Sequence, residues 1–377
     1  MAEPTTPRVR AAIGRAVDRL LDPTVRERLA IAVASTLLAL LTGLVIVTAS
    51  GYDPIRFLED MLYGAFGSAD RFALTLKSTT SFILAGVAVA IAFRAGVFNI
   101  GVQGQLVVGG FATAVTIISL APLFPTGPIG GVLLITAGIL AAIVAGGLYG
   151  AFPGLLKAYA DANEIITTIM LNFIATGMVF WLIDNFFRPE GTFFVRTAHF
   201  PDYATFPSLV FDTSSFSIIG ILIALAVAVL VYVIMERTSS GYDMVTSGHQ
   251  ERAAVYSGVD AARTIMKTMT LSGMVAGLTG AVFVIMTLSY YSNPAGIPTF
   301  GFDAIAVSLL GANNPLAVIP AGLLFGGLES GGNFISQSSP VPRQLIDGVI
   351  GLVILFVAAP ELFRMAGQSF DLGGDEQ

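Results

Sequence analysis

Apolar residues in this chain fall in long runs rather than in short alternating or amphipathic stretches. Ten such runs stand at roughly 29–49, 74–93, 98–120, 129–152, 164–186, 217–235, 268–290, 296–311, 315–331 and 343–360. Several reach or approach the ~20 residues that an α-helix needs to cross a bilayer. The pattern predicts an all-α, polytopic membrane protein with about ten transmembrane helices. The eighth run is the most broken, by Gly301, Gly311 and the "NNP" at 313–315.

The runs divide the chain into three parts. Residues 1–28 form a basic arm in which Val9, Ile13, Val17 and Leu20 share one helical face and Arg8, Arg15 and Arg19 lie elsewhere. This predicts an interfacial helix on the lipid of an anionic leaflet, ended by Asp22 and Pro23. Residues 29–360 form the transmembrane domain. Its first run is too long for a signal-peptide core and reads as an uncleaved anchor. Residues 361–377 are an acidic tail. Between the runs, segments 50–73 and 187–216 are long and rich in aromatic residues, Pro and Asp, which suits interfacial caps or partner contacts. The loop 236–267 is longer still.

Composition agrees. The chain of 377 residues is 55% hydrophobic and 12% charged, against about 25% charged in a soluble domain, and its mean hydropathy is +0.81. So few charges cannot cover a water-facing surface. With the amino terminus inside and alternating spans, 13 of the 19 Lys and Arg fall on the cytoplasmic side. That obeys the positive-inside rule and puts both termini and loop 236–267 in the cytoplasm of a cell-membrane protein.

Polar residues inside the runs are the candidates for function. "FNIGVQGQL" at 98–106 sets Asn99, Gln103 and Gln105 among glycines. A helix break or an amide is tolerated at membrane depth only where protein or a water-lined cavity surrounds it. The cluster therefore reads as the lining of a path for an uncharged polar solute, and each amide alone reads equally as an interhelical hydrogen bond. Asn172 is a lone amide in the fifth run, with the same two readings. Asp303 stands at the outer end of the eighth, either at a helix start, where the dipole favours an anion, or at a gate. Glu329 and Asp347 lie near the outer ends of their runs, where solvent is expected. The small-residue stretches 145–154 and 272–281 are expected to bring helices close together. Residues 83–110 and 274–312 echo each other: a small-residue helix, a Phe-Gly break, then a glycine-rich helix of opposite orientation. That is a weak inverted repeat.

Several chemistries are excluded. Cysteine is absent and there are only two histidines, His199 and His249, so there is no thiolate or His-based metal cluster. The three lysines follow Leu76, Leu156 and Met266, so none completes a P-loop. No nucleophile elbow or HExxH is present. The chain reads as a transport subunit rather than an enzyme, holding no cofactor and no nucleic acid.

The loop "SGHQERAAVYSGVDAAR", followed by "SGMVAGLTGA", resembles the integral-membrane permeases of bacterial and archaeal ABC importers for ribose-type sugars, nucleosides and branched-chain amino acids. "FNIGVQGQ", "ANEIITTIMLNFIA", "GFDAIAVSLLGANNPLAVIPAGLLFGGLESG" and "QLIDGVIGLVILF" carry the resemblance across residues 80–356. "NEIITTIMLN" and "GANNPLA" are most similar to the nucleoside branch, whose importers pair two different permeases, although archaeal sugar permeases share the pattern. The resemblance implies a second, paralogous permease, cytoplasmic ATP-binding-cassette subunits that use ATP and Mg, and an external solute-binding lipoprotein. It assigns the ATPase coupling element to Gly248, His249, Glu251, Arg252, Ala253, Ala254, Gly258 and Arg263. His249 and Gln250 stand where the family more often has Asn and Pro. The rival reading is a secondary carrier of a polar solute. Proton or sodium coupling usually needs paired carboxylates within the membrane, and the sequence offers no convincing pair.

Overall fold

The computed structural model describes residues 25–211, 216–249, 256, 258–293, 296–353 and 355–356, with side chains from residue 37 onward. Most of the basic arm, the acidic tail, the side chain of His249, and Glu251, Arg252, Ala253 and Ala254 lie outside the described residues. Secondary structure among the described residues is helical, apart from one isolated β-bridge between Arg196 and Ser292.

The chain forms two compact units, one of residues 1–60 with 335–377 and one of residues 61–334. In the first, α1 (Val25–Ala49) meets the helix at 343–353 through Gly43, where an added Cβ would lie 2.6 Å from a methyl of Val349. Within that later helix Arg343 and Asp347 pair at 2.9 Å in exposed positions, so Asp347 is solvated as expected.

Helix α2 (Pro54–Phe66) occupies what the sequence predicts to be an external loop. Its charges at Arg56, Glu59 and Asp60 depress its hydropathy. Phe57, Met61 and Ala65, spaced four apart, are nonetheless buried, which is the amphipathic helix pattern.

The larger unit contains α3 (Ala69–Arg94), α4 (Val102–Leu120), α5 (Pro128–Ala160), α6 (Glu164–Leu182), α7 (Ile218–Arg237), α8 (Ser239–His249), α9 (Ala261–Phe283), α10 (Phe300–Leu310) and most of α11 (Val318–Ser338). Short π-helical turns extend α6 to Phe187 and α9 to Leu288. Helices α3, α4, α5, α6, α7 and α9 are each long and apolar enough to cross a membrane. Helix α10 is not: its 11 residues span about 16 Å, half of the hydrocarbon thickness. The break at 289–299 thus shortens the eighth predicted run to a half-helix.

Two boundaries differ from the apolar runs for local reasons. Helix α9 begins at Ala261 because Asp260 caps it, accepting from the Arg263 amide at 3.0 Å. The loop before it is shorter than expected by that amount. Helix α11 continues to Ser338, which places Glu329 near its middle. There it is half-buried and accepts from Asn333 Nδ2 at 3.0 Å, so the expectation of a solvated helix end does not hold for Glu329.

The core is largely apolar, but the outer surface is apolar too, unlike that of a water-soluble protein. Helices α3 and α9 are enclosed along most of their length and carry the buried Thr75, Ser78, Thr79, Thr80, Ser81, Thr268 and Ser272. The outer helices expose Leu140, Leu148, Phe152, Ile174, Trp181, Leu222 and Leu230. Water would oppose such a surface by about 25 cal/mol per Å², whereas lipid tails accept it.

The centre is held by close backbone contact. The small-residue stretches of α5 and α9 meet each other: a Cβ at Gly150 would lie 2.6 Å from the Met269 carbonyl oxygen and 2.9 Å from Gly273 Cα. Gly277 is wedged against Ala142 and Gly146, and Gly109 of α4 against Gly277. Helices α4, α5 and α9 therefore touch through their backbones at these glycines, and the α5–α9 contact falls in the two small-residue stretches where the sequence predicts close approach.

Candidate functional site

The chain leaves α3 at Ala95, runs through a break at 95–101, and re-enters helix at Val102. A second break, 289–299, separates α9 from α10. The starts of α4 and α10 meet. Gln103, in the first turn of α4, accepts from the Gly301 amide at 2.8 Å and donates to the Pro298 carbonyl at 3.1 Å. One glutamine thus satisfies a free amide at the start of the short helix α10 from the first turn of α4.

The other amides of "FNIGVQGQL" point elsewhere. Asn99 and Gln105 hydrogen-bond each other in both directions, at 2.9 and 3.0 Å. Asn99 also accepts from Gly101 N at 3.1 Å and donates to Ser272 Oγ at 2.8 Å. Ser272 donates to the Ala88 carbonyl at 2.6 Å. The knot ties the break to α9 and α3, and Asn99, Gln105 and Ser272 are all buried. Asn172 of α6 accepts from Gly104 N at 2.7 Å and donates to the Ile100 carbonyl at 2.9 Å, so it braces the same break from the other side.

A cavity of about 170 Å³ opens beside this junction. Its polar wall consists of Gln103, Asn172, Thr176, Tyr291, Asn293 and Thr299, and Phe173 and Phe302 are its aromatic members. Thr176 lies halfway along the 24-residue span 164–187, so the cavity sits at mid-helix depth. Phe173, Thr299 and Phe302 are exposed at its rim. Asn99 and Gln105 stay behind the wall, and Asp303 lies beyond it, half-buried in the first turn of α10.

The sequence reading passed over Tyr291 and Asn293, which fall between two predicted runs. Ser289, in the left-handed region at φ 52, turns the chain out of α9. The next residues pair with the segment that follows α6: Thr197 N donates to the Tyr291 carbonyl at 2.8 Å, Tyr291 N to Thr197 Oγ1 at 3.0 Å, and Asn293 N to the Val195 carbonyl at 3.4 Å. Asn293 Nδ2 donates to the Thr176 carbonyl at 2.6 Å. Asn293 also lines a second, larger cavity of about 590 Å³ with Phe193, Phe194, Arg196, His199 and Tyr290. The signal in the sequence was the aromatic and amide content of "SYYSNPAGIP" between two helices.

Of the predicted coupling residues, Gly248 lies in the last turn of α8 and packs backbone to backbone on Ala95 and Gly96. Gly258 has φ 91 and is exposed. Arg263 opens α9 and pairs with Asp260 at 3.0 Å. Nearby, Arg94 at the end of α3 forms an ion pair with Glu236 of α7.

A helical bundle apolar outside, with its amides inside and a cavity of mixed polar and apolar lining at mid-helix depth, has the build of a multi-pass membrane transport protein. Residues 72–358 match the family described as branched-chain amino acid transport system / permease component, and the chain belongs to that permease family. It is 35% identical over 342 residues to the guanosine ABC transporter permease protein NupP of Bacillus subtilis, covering 90% of this chain and 95% of that one. It is 30% identical to the nucleoside ABC transporter permease protein NupB of Lactococcus lactis, covering 84% and 87%. It is 32% identical to the glucose ABC transporter permease protein of Haloferax volcanii, covering 91% of each chain.

Proposed function

We propose that this chain is one of two paralogous permease subunits of an ATP-binding-cassette importer, and that it forms half of the pathway for a nucleoside. The observation that carries this reading is the cavity beside Gln103 and Asn172. It sets polar side chains among apolar ones, it lies at mid-helix depth, and its rim at Phe173, Thr299 and Phe302 is exposed. Polar surface at that depth is tolerated only under protein cover. A second permease supplies the cover and closes the path between the two chains.

In this reading about ten helices cross the membrane, α10 being a re-entrant half-helix, and the two broken pairs α3–α4 and α9–α10 form an inverted repeat. Both termini and loop 236–267 are cytoplasmic. Gln103 and Asn172 form the wall of the path, Asn99 and Gln105 hold that wall from behind, and Asp303 steadies the start of α10. ATP and Mg are used by separate cassette subunits, which receive Gly248, His249, Glu251, Arg252, Ala253, Ala254, Gly258 and Arg263. An external binding lipoprotein delivers the solute. The glucose permease relative keeps a simple sugar as the second reading of the substrate.

Uptake of radiolabelled guanosine by membrane vesicles, with and without the cassette subunits, tests the proposal. Uptake that needs this chain, the cassette subunits and hydrolysable ATP is the expected result. Uptake driven by an ion gradient without them supports a secondary carrier instead.

A further inference from the structure

The amides that the sequence makes conspicuous are largely engaged by the protein itself. Asn99 and Gln105 bind each other, Gln103 holds Gly301 and Pro298, and Asn172 holds Gly104 and Ile100. The free polar atoms of the cavity wall come from the break after α9.

Tyr291 is the clearest case. Its side chain is 1% exposed and lines the cavity, and among the described residues its hydroxyl makes no hydrogen bond. Its ring packs edge-on against Phe111 with centroids 6.1 Å apart, and its backbone is fixed to Thr197 on both sides. A hydroxyl that makes no bond within the protein leaves its donor and its lone pairs to whatever enters the cavity.

Asn293 is the second case. A carbonyl oxygen can only accept, so the bond to the Thr176 carbonyl fixes Nδ2 there. Oδ1 makes no hydrogen bond among the described residues, and Asn293 lines both the outer and the mid-depth cavities.

We infer that Tyr291 and Asn293 form the solute-contacting gate between the outer cavity and the mid-depth cavity. Tyr291 offers a hydroxyl and Asn293 a carbonyl acceptor to an uncharged solute rich in hydroxyl or N–H groups. Gln103 and Asn172 are positioning residues that set the wall. The inference rests on reading the cavity as the solute path.

Tyr291→Phe tests it with a variant that keeps the ring and both backbone bonds. The purified complex of both permeases and the cassette subunits is heated over a titration of guanosine, and of glucose in parallel, and the rise in melting temperature gives an apparent Kd. The wild type is expected to bind one of the two. Tyr291→Phe is expected to raise the Kd about tenfold, the equivalent of one hydrogen bond, while the ligand-free melting temperature stays level or rises. Asn293→Ala is expected to raise the Kd similarly, scored on the folded fraction. An unchanged Kd in Tyr291→Phe overturns the gate and leaves the importer reading intact. A ligand-free complex destabilised by Tyr291→Phe shows a structural hydroxyl and also overturns it. A wild-type complex that neither binds nor carries either solute overturns the gate and the importer reading together.

Discussion

Gly248 and Gly96 meet through their backbones. A Cβ at Gly248 would lie 2.6 Å from the Ala95 carbonyl carbon and 2.7 Å from the Gly96 nitrogen, and one at Gly96 would lie 2.8 Å from Gly248 Cα. Gly96 also has φ 70, a conformation that costs a side-chain-bearing residue roughly 1–2 kcal/mol. The last turn of α8 therefore rests directly on the break that leads, three residues later, to Asn99.

This contact gives a route for motion. If α8 is the coupling element, its displacement would push on 95–96, and the Asn99 knot would carry that push to α9 and to the cavity wall. Gly248→Ala forces the two segments apart at the end of α3, where the new Cβ would lie 2.7 Å from the Arg94 carbonyl oxygen. Uptake and solute-stimulated ATP hydrolysis are expected to fall about tenfold, within the usual range of coupling energies, with the amount of inserted protein unchanged. Both are measured in reconstituted vesicles. Full coupling in the variant would show that the contact is passive.

Asn99→Leu leaves the Gln105 amide and the Gly101 N–H without their partner inside the bundle, and Ser272 keeps only its bond to the Ala88 carbonyl. Each buried group left unpaired costs about 1–3 kcal/mol. Folded yield and uptake are expected to fall in parallel, as read by size-exclusion chromatography alongside transport. Ser272→Ala removes the edge of the same knot and is expected to show the milder form.

At the α5–α9 contact there is no room for a side chain. Gly150→Val and Gly277→Val are expected to lower the melting temperature by an amount corresponding to 1–3 kcal/mol or more, the usual cost of about one or two methylenes forced into a packed core. Gly177→Val, on the exposed face of α6 where a Cβ meets nothing within 4 Å, is the matched control and is expected to behave as wild type.

Orientation is open to a direct test because the chain has no cysteine. Gly258→Cys, at an exposed position, is expected to react with an impermeant maleimide only in inside-out vesicles. Labelling from outside intact cells would reverse the proposed topology.

Much of this architecture was legible in the sequence, and its gaps have physical causes. The apolar runs located the crossing helices because side chains facing lipid need no polar face. The stretches 145–154 and 272–281 announced the tight α5–α9 contact because only small residues let backbones touch. Helix α2 was missed because its core face is only Phe57, Met61 and Ala65 among charges. The start of α9 was missed because hydropathy does not register a cap such as Asp260. Asn99 and Gln105 drew attention as polar groups at membrane depth, but a sequence does not show that two amides satisfy each other. Tyr291 and Asn293 are placed by pairing with residues about a hundred positions away, Thr197 and Thr176, which no local pattern encodes.

The account turns on the cavity beside Gln103 and Asn172 being the path that solute takes. Thr299→Cys places a single thiol at its rim in a cysteine-free chain, at an exposed position. In the assembled transporter, a small polar thiol reagent is expected to modify it and to block guanosine uptake, and saturating guanosine is expected to slow the modification about tenfold, in line with occupancy of the site. Modification at the same rate with and without solute, leaving uptake intact, would contradict the account.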